Sequence, residues 1–222
     1  MKAYDGPSEL SGFHFLGYDV RDTRGLGVKI LKLHGFQVGR VLSVDLTVCE
    51  RYDCENSVDK TVSQRYDCGN GGEPPQVLYG GATFAQGLFM TYASAKEWLQ
   101  LIPDEHRRRF EVIGYSVNKE EVLSFVTAER ADQIGVSFTD DALLVDGANL
   151  EGYDVATLQY SWVSGLTNCG IDLHAAGIRI SRDLTDSFLF RNVAAARKFR
   201  QLADDRIAAH APFLVWQICT FQ

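Results

Sequence analysis

Three cysteines in the first half of the chain have the side chain best suited to binding zinc. Cys49, Cys54 and Cys68 are separated by four and by thirteen residues. Three thiolates and one histidine could complete a tetrahedral zinc site. The spacing matches no standard zinc motif, however, and no fourth ligand lies nearby in the sequence. We therefore expect no metal and keep a zinc site as the alternative.

A repeat of four residues, Arg-Tyr-Asp-Cys, contains two of these cysteines and predicts a different role for the region. Its copies begin at Arg51 and Arg65. The flanking residues predict a two-stranded arm, residues 41–52 paired with 62–66, within an insertion of about residues 46–76. Arginine and tyrosine are enriched at binding hot spots. Four residues of the arm would bind a protein partner: Arg51, Tyr52, Arg65 and Tyr66.

Alternating charges follow the first predicted strand. They are Asp19, Arg21, Asp22 and Arg24. Carboxylates at the end of a strand can act as acids or bases, but interleaved aspartates and arginines are more typical of a solvated ion-pair cluster. No arginine pair follows Asp154, the matched residue of the second half. Any charged site would therefore belong to the first half.

The elements that would position these residues occur twice. The tetrapeptide Gly-Tyr-Asp-Val fills residues 17–20 and 152–155, each time with a glycine five residues upstream. Each copy continues with Leu-His, an apolar strand, a helix and a closing strand. Strong helix formers predict helices at 94–101 and 194–202, and β-formers predict closing strands at 110–117 and 213–221.

This repeated order predicts an α+β fold made of two tandem, diverged copies of one module. Each module would be a small mixed sheet with one main helix. The first module would span residues 1–130, including the arm insertion, and the second residues 131–222. Residues 119–130 would include a short helix, and residues 134–145 would form strands.

The composition argues against several classes of function. The 222 residues carry a net charge of −7, whereas a nucleic-acid surface needs clustered lysine and arginine. We therefore expect a protein partner, and the acidic charge would suit a basic one. No apolar run reaches about 20 residues, so we expect no membrane span. The first residues lack the pattern of a signal peptide, which predicts a cytoplasmic protein.

The first half resembles the ADP-ribosyltransferase fold, in its toxin branch. Residues 18–24, Tyr-Asp-Val-Arg-Asp-Thr-Arg, and the Gly-Phe at 35–36 are similar to the Tyr-Arg-x-Asp-x-Arg strand and following Gly-Phe of that branch. Residues 87–91 and the helix after them are similar to its strand-to-helix step. The catalytic pattern is degenerate, because Asp19 displaces or replaces the arginine and no Glu-x-Glu pair is present.

The resemblance implies an enzyme that uses a nicotinamide dinucleotide, NAD, in the first module. Arg21 would bind a phosphate of NAD, because a guanidinium pairs bidentately with phosphate. Tyr18 or Tyr92 would stack on the nicotinamide. Glu111 or Glu121 would orient the ribose.

We favour a non-catalytic binding protein, without a cofactor, over this enzyme. The two copies share no polar constellation, and a binding surface explains such a duplication more easily than chemistry does. The predicted arm and the acidic charge would suit a bacterial immunity or inhibitor protein that masks a protein partner. The ADP-ribosyltransferase-like enzyme is the alternative, because fold analogy alone does not carry function.

Overall fold

Four strands and five helices lie in the residues that the structure describes. The computed structural model describes residues 12–23, 40–44, 88–100, 104–108, 110–127, 144–157, 164–167 and 171–221. The strands in these ranges are β1 (Phe13–Asp22), β2 (Phe110–Asn118), β3 (Ala148–Thr157) and β4 (Phe213–Phe221). The helices are α1 (Tyr92–Gln100), α2 (Asp104–Arg107), α3 (Lys119–Phe125), α4 (Ile180–Asp183) and α5 (Val193–Arg206). The α+β class expected from the sequence is therefore confirmed.

The four strands form one antiparallel sheet in the order β1-β2-β4-β3. Its central pair runs from Ile113 opposite Thr220 to Val117 opposite Trp216, and this pairing joins the two halves of the chain. The described strands therefore do not form the mixed sheet that we expected in each module. The direction of a strand depends on the strand it pairs with, and an apolar pattern carries no such information.

β1 and β3 share an irregularity at a glycine. The register of β1 against β2 shifts between Phe15 and Gly17. The register of β3 against β4 shifts between Leu150 and Gly152. The two glycines have φ angles of 150° and 147°, which other residues rarely adopt. A Cβ at Gly152 would lie 2.7 Å from the carbonyl oxygen of Phe190, so the backbone requires the glycine of the repeated motif there.

The tyrosine of the same motif is placed alike in the two halves. Tyr18 exchanges two backbone hydrogen bonds with Phe89, of 2.8 and 2.7 Å. Tyr153 exchanges two with Phe190, of 2.9 and 2.7 Å. β1 and β3 are the edges of the sheet. At each tyrosine, the edge is therefore covered by the chain that leads into the next helix.

The two longest helices, α1 and α5, begin with matched caps. Thr91 Oγ1 accepts from the N–H of Ser94 at 3.1 Å. Asn192 Oδ1 accepts from the N–H of Ala195 at 2.8 Å. Each cap satisfies a backbone donor that the first turn of a helix leaves without a partner. α1 and α5 confirm the helices predicted at 94–101 and 194–202, with α5 extending further.

Each of these helices buries a matched aromatic pair against its half of the sheet. α1 contacts β1 and β2, and Trp98 lies 6.3 Å from Phe89 between ring centroids. α5 contacts β3 and β4, and Phe199 lies 5.2 Å from Phe190. Trp98 and Phe199 are both almost fully buried. Burial of an aromatic side chain contributes about 3 kcal/mol, so these pairs fix each helix on its own half.

Shorter segments cover the opposite face of the sheet. An apolar cluster there contains Ile113 and Val117 of β2 with Val122 of α3, and residues 40–44 add Leu42. α3 confirms the short helix predicted after β2.

Two organisational predictions fall outside the described residues. One is the module boundary near residue 130. The other is the pair of strands predicted at 134–145, of which residues 134–143 are not described. None of the helices in the described part of the chain is long and apolar enough to cross a membrane.

Candidate functional site

Residues 40–44, which we call the strap, connect the two halves of the molecule. The N–H of Val41 donates to the carbonyl oxygen of Thr23, just after β1, at 2.8 Å. The N–H of Leu42 donates to the carbonyl oxygen of Ser187, in the second half, at 3.3 Å. Val41 and Leu42 are buried. The strap is therefore a fixed part of the core that contacts both halves.

Arg40, the first residue of the strap, is bonded to both halves through its side chain. Its guanidinium makes two bonds to Glu111 of β2, of which the Nε–Oε1 bond is 2.7 Å. Nη1 donates to Glu151 Oε2 of β3 at 3.0 Å and to Ser187 Oγ at 3.1 Å. These bonds use four of the five N–H donors of an arginine. Arg40 therefore acts as an internal cross-link.

The two carboxylates that hold Arg40 also accept hydrogen bonds from hydroxyl groups. Thr23 Oγ1 donates to Glu111 at 3.0 Å, and Thr220 Oγ1 donates to Glu151 at 2.6 Å. The side chains of Arg40 and Glu111 are 32% exposed and that of Glu151 is 23% exposed. A network of several bonds at this depth is screened by salt less than an isolated surface pair.

Arg40 determines the protonation state of Glu111. Burial raises the pKa of Glu111, but the hydrogen bonds and charge of Arg40, with the bond from Thr23, outweigh burial and lower it. The bond to Glu111 in turn raises the pKa of Arg40, against the effect of burial. Glu111 is therefore ionised at neutral pH, so it can accept hydrogen bonds but has no proton to give as a general acid.

The other end of the strap meets a fully buried carboxylate, Asp154 of β3. Its oxygens accept from the N–H of Val44 at 2.6 Å, the N–H of Val155 at 2.7 Å and Ser164 Oγ at 2.8 Å. Burial raises the pKa of Asp154 to about 7, although these bonds and the charge of Arg21 act in the opposite direction. The strap is thus attached to a carboxyl group that titrates near neutral pH.

Two residues that the sequence predicted for a nicotinamide site, Arg21 and Glu111, lie opposite each other on β1 and β2. Arg21 Nη1 donates to the carbonyl oxygen of Ser43, in the strap, and to the hydroxyl of Tyr115 at 3.3 Å. Glu111 holds Arg40. Both predicted residues therefore support the strap.

The two tyrosines predicted to stack on nicotinamide lie in an aromatic cluster. Tyr18 is fully buried, and its hydroxyl accepts from the N–H of Val145 at 3.1 Å. Burial is the main reason that its pKa is raised to about 12. The ring of Tyr18 packs against three others, with centroids 4.8 to 5.7 Å apart: Phe15, Tyr92 and Phe221. By strand alternation, Tyr18 and Arg21 lie on opposite faces of the sheet.

Glu121 belongs to a separate contact, between α3 and α5. Its carboxylate accepts from Arg200 Nη1 at 2.7 Å, and the guanidinium of Arg200 lies 5.4 Å from the ring centre of Phe125. Glu111 is near the start of β2, whereas α3 follows its end. The length of the strand, about 25 Å, separates the two glutamates, so they do not form one site.

Residues 41–44, which were predicted to begin the projecting arm, form no strand and are instead buried in the core as part of the strap. The remaining residues of the predicted arm and the predicted zinc ligands lie outside the described residues. These are Arg51, Tyr52, Arg65 and Tyr66 for the arm, and Cys49, Cys54 and Cys68 for zinc. In the ranges that the structure does describe, no group of three or more His, Cys, Asp or Glu residues could hold a metal ion.

A cleft of about 550 Å³ opens beside Arg40. Its other lining residues are Leu150, Glu151, Thr185, Asp186, Ser187 and Arg191. None of these residues was predicted from the sequence, because they come from separate segments and form no motif. The repeated Gly-Tyr-Asp-Val motif marks Asp154, which lies on β3 together with Glu151.

Comparison of the chain with protein-family models, with curated proteins and with solved structures finds no match. The resemblance of the first half to the ADP-ribosyltransferase fold therefore stays a prediction from the sequence.

Proposed function

We propose that the protein is a non-catalytic binding protein that acts on a protein partner, in the manner of a bacterial immunity or inhibitor protein. The observation that carries this proposal is that the candidate catalytic side chains are bonded to the protein itself. Arg21 holds the strap, and Glu111 holds Arg40. Glu121 holds Arg200. A reaction would have to break one of these contacts before that side chain could meet a substrate.

The charge of the chain supports a basic partner. A net charge of −7 attracts a basic protein and accelerates encounter with it. The predicted arm would supply the aromatic and arginine side chains on which most binding energy usually depends.

We also propose that the two halves are diverged copies of one module. The support is the matched placement of Tyr18 and Tyr153, of the glycine irregularities and of the helix caps. The copies differ at the positions where a shared reaction would require the same charged side chains. Arg21 faces Glu111 in the first half, whereas Ala156 faces Leu214 at the matched place in the second. Copies that keep a backbone but not a charged pair are easier to explain by a binding surface than by a shared reaction.

Capture of partners from extracts of the native host tests the proposal. The whole tagged chain should retain a protein that also binds the purified chain directly. The double substitution Tyr52→Ala with Tyr66→Ala should abolish this binding, because it removes both predicted aromatic anchors of the arm. Asp205→Asn, an exposed change on α5, is the matched control and should leave it unchanged. If no captured protein binds the purified chain, the proposal is wrong.

The alternative is an ADP-ribosyltransferase-like enzyme that binds NAD in the first half. The observation in its favour is the cross-strand pairing of Arg21 with Glu111, which puts a phosphate-binding side chain beside a carboxylate. Calorimetric titration with NAD separates the two functions. Micromolar binding that is lost in Arg21→Ala and kept in Arg108→Ala, an exposed control, would favour the enzyme. Absence of heat at millimolar NAD would favour the binding protein.

A further inference from the structure

The pairing of β2 with β4, which we call the seam, has Tyr115 opposite Ile218 at its centre. These two residues are equivalent in the two halves, because Gly17 of the repeated motif lies opposite Tyr115 and Gly152 lies opposite Ile218. At the centre of the seam, a residue therefore faces its own counterpart from the other half.

The other pairs of the seam follow the same symmetry. Counted from the centre, Ile113 is equivalent to Trp216, and Val117 is equivalent to Thr220. Ile113 lies opposite Thr220, and Val117 lies opposite Trp216. Exchanging the two halves therefore turns one pair into the other. This is the pattern of an isologous interface, in which the same surface meets itself across a two-fold axis.

The apolar core divides in the same way as the sheet. Among the described residues, the buried members of the cluster under α1 all belong to the first half. Those of the cluster under α5 belong to the second half, apart from Val41 of the strap. The cluster on the opposite face of the sheet combines Ile113 of the first half with Trp216 of the second. Each half thus has its own core and shares a further one across the seam.

Each half needs a partner strand at the seam. Its two strands, β1 with β2 or β3 with β4, leave the seam edge of the inner strand unpaired when the half is taken alone. A two-stranded sheet is marginally stable at best, and an unpaired edge is a template for pairing with another chain. In this protein, the strand that fills the edge is the equivalent strand of the other half.

The seam edge of β4 is also complementary to itself. In a pair of two β4 strands with the register of the seam, Ile218 would lie opposite Ile218 of a second copy, and Trp216 would lie opposite Thr220 of that copy. None of the seam residues in β2 or β4 is charged. Pairing between like strands would therefore put no like charges opposite each other.

The strap distinguishes pairing of unlike halves from pairing of like halves. It belongs to the first half, and Arg40 bonds to Glu151 and Ser187 of the second. At the position that matches Glu151, the first half has Leu16. Two first halves could not form this ion pair across a seam, and two second halves would bring no strap to it.

We infer that the seam is a two-fold dimer interface retained inside one chain, that the partner it fits is a second copy of this chain, and that the strap confines it to the two halves of one chain. In a dimer, the first half would pair with the first half of the second copy, and the second half with the second, by exchange of halves between chains. This inference goes beyond the proposed function and rests on the proposal that the halves are copies of one module.

Sedimentation equilibrium of the whole chain, refolded from urea under reducing conditions, tests the inference. The wild type should be monomeric at micromolar concentration, because the covalent connection gives pairing within a chain an effective concentration of about 1 mM. Arg40→Ala should raise the association constant of the dimer about tenfold or more, because only pairing within a chain loses the bonds to the second half.

Two further variants separate the contact across the halves from the rest of the Arg40 network. Ser187→Ala removes one bond between the halves and should also favour the dimer, with a smaller effect. It decides the matter if Arg40→Ala does not fold. Thr23→Val is the matched control, because it removes a hydroxyl that bonds to Glu111 within the first half. It should leave the association constant unchanged.

A disulfide identifies the strands that pair in the dimer. The probe is Ile218→Cys in the Arg40→Ala chain, with the five native cysteines replaced by alanine. Oxidation should link the dimer, since this thiol would face its own counterpart in a pair of two β4 strands. Thr220→Cys is the control and should give no link, because it would face Trp216 of the second copy.

Either of two results would overturn the inference. One is that the folded Arg40→Ala and Ser187→Ala variants, checked by circular dichroism, stay as monomeric as the wild type. The other is that Thr220→Cys links the dimers as readily as Ile218→Cys does. Because no other protein takes part in these measurements, both results leave the proposed binding function standing.

Discussion

Asp19 and Asp154 occupy the same position of the repeated Gly-Tyr-Asp-Val motif, but their surroundings differ. Both accept a hydrogen bond from the N–H of the following valine, at 2.9 and 2.7 Å. Asp154 also accepts from Val44 and Ser164, which are 110 and 10 positions away in the sequence. The shared contact is local to the motif, whereas the added contacts depend on the rest of the chain. A repeated motif can therefore fix the same backbone twice while its side chains hold different neighbours.

The largest effects should come from the matched aromatic residues under the two helices. We expect Trp98→Ala and Phe199→Ala each to lower the free energy of unfolding by about 3–5 kcal/mol, through lost burial and the cavity that remains. Urea denaturation followed by circular dichroism would measure both. Because β2 pairs with β4, we expect one transition that both substitutions shift. Two separate transitions, each shifted by only one substitution, would show that the halves unfold independently.

An intermediate effect should come from the motif glycine of the second half. Gly152→Ala should lower the free energy of unfolding by about 2–4 kcal/mol, because its Cβ would meet the backbone of Phe190. Gly147→Ala is the control, since a Cβ there meets nothing within 4 Å although φ is 86°. It should cost only about 1 kcal/mol. Equal losses from thermal or urea unfolding would mean that contact with Phe190 does not constrain Gly152.

The smallest effect, measured over one pH unit, should be a dependence of stability on pH that belongs to Asp154. The pKa of Asp154 is raised to about 7 in the folded protein, above its value in an unfolded chain. Its contribution to stability is therefore fully present at low pH and is lost as the pH rises toward and through 7. Between pH 5 and 6 the loss should be about 1 kcal/mol per pH unit, and Asp154→Asn should abolish it.

Urea denaturation of the wild type and of two variants over this pH range would measure that loss. Asp19→Asn is the matched substitution in the first half. If it changes the pH dependence as much as Asp154→Asn does, the difference between the two aspartates is unimportant for stability.

Local features of the fold could be predicted from the sequence. The helices α1 and α5 follow from strong helix formers, and the closing strands follow from their β-formers. The glycine and tyrosine of the repeat also pointed to matched backbone positions. These features depend on residues within a few positions of one another, which is the range over which a single sequence is informative.

The candidate site could not be predicted in the same way. Arg40 contacts residues that are 71, 111 and 147 positions away, and no motif marks such distances. The left-handed backbone conformation of Phe188, whose φ is 61°, could not be predicted either, because glycine or asparagine usually marks that conformation. Arg21 and Glu111 were identified, but their bonds to the strap and to Arg40 depend on residues 40–44, whose place in the core the sequence did not reveal.

The strap also constrains the order in which the protein can be assembled during synthesis. Val44 needs an acceptor that is made 110 residues later, and Arg40 needs Ser187, which is made 147 residues later. Until those residues leave the ribosome, the strap lacks its contacts with the second half, and Arg40 can bond only to Glu111. The strap therefore cannot complete its packing before the second half is synthesised. Until then, the growing chain exposes this segment to chaperones or to other nascent chains.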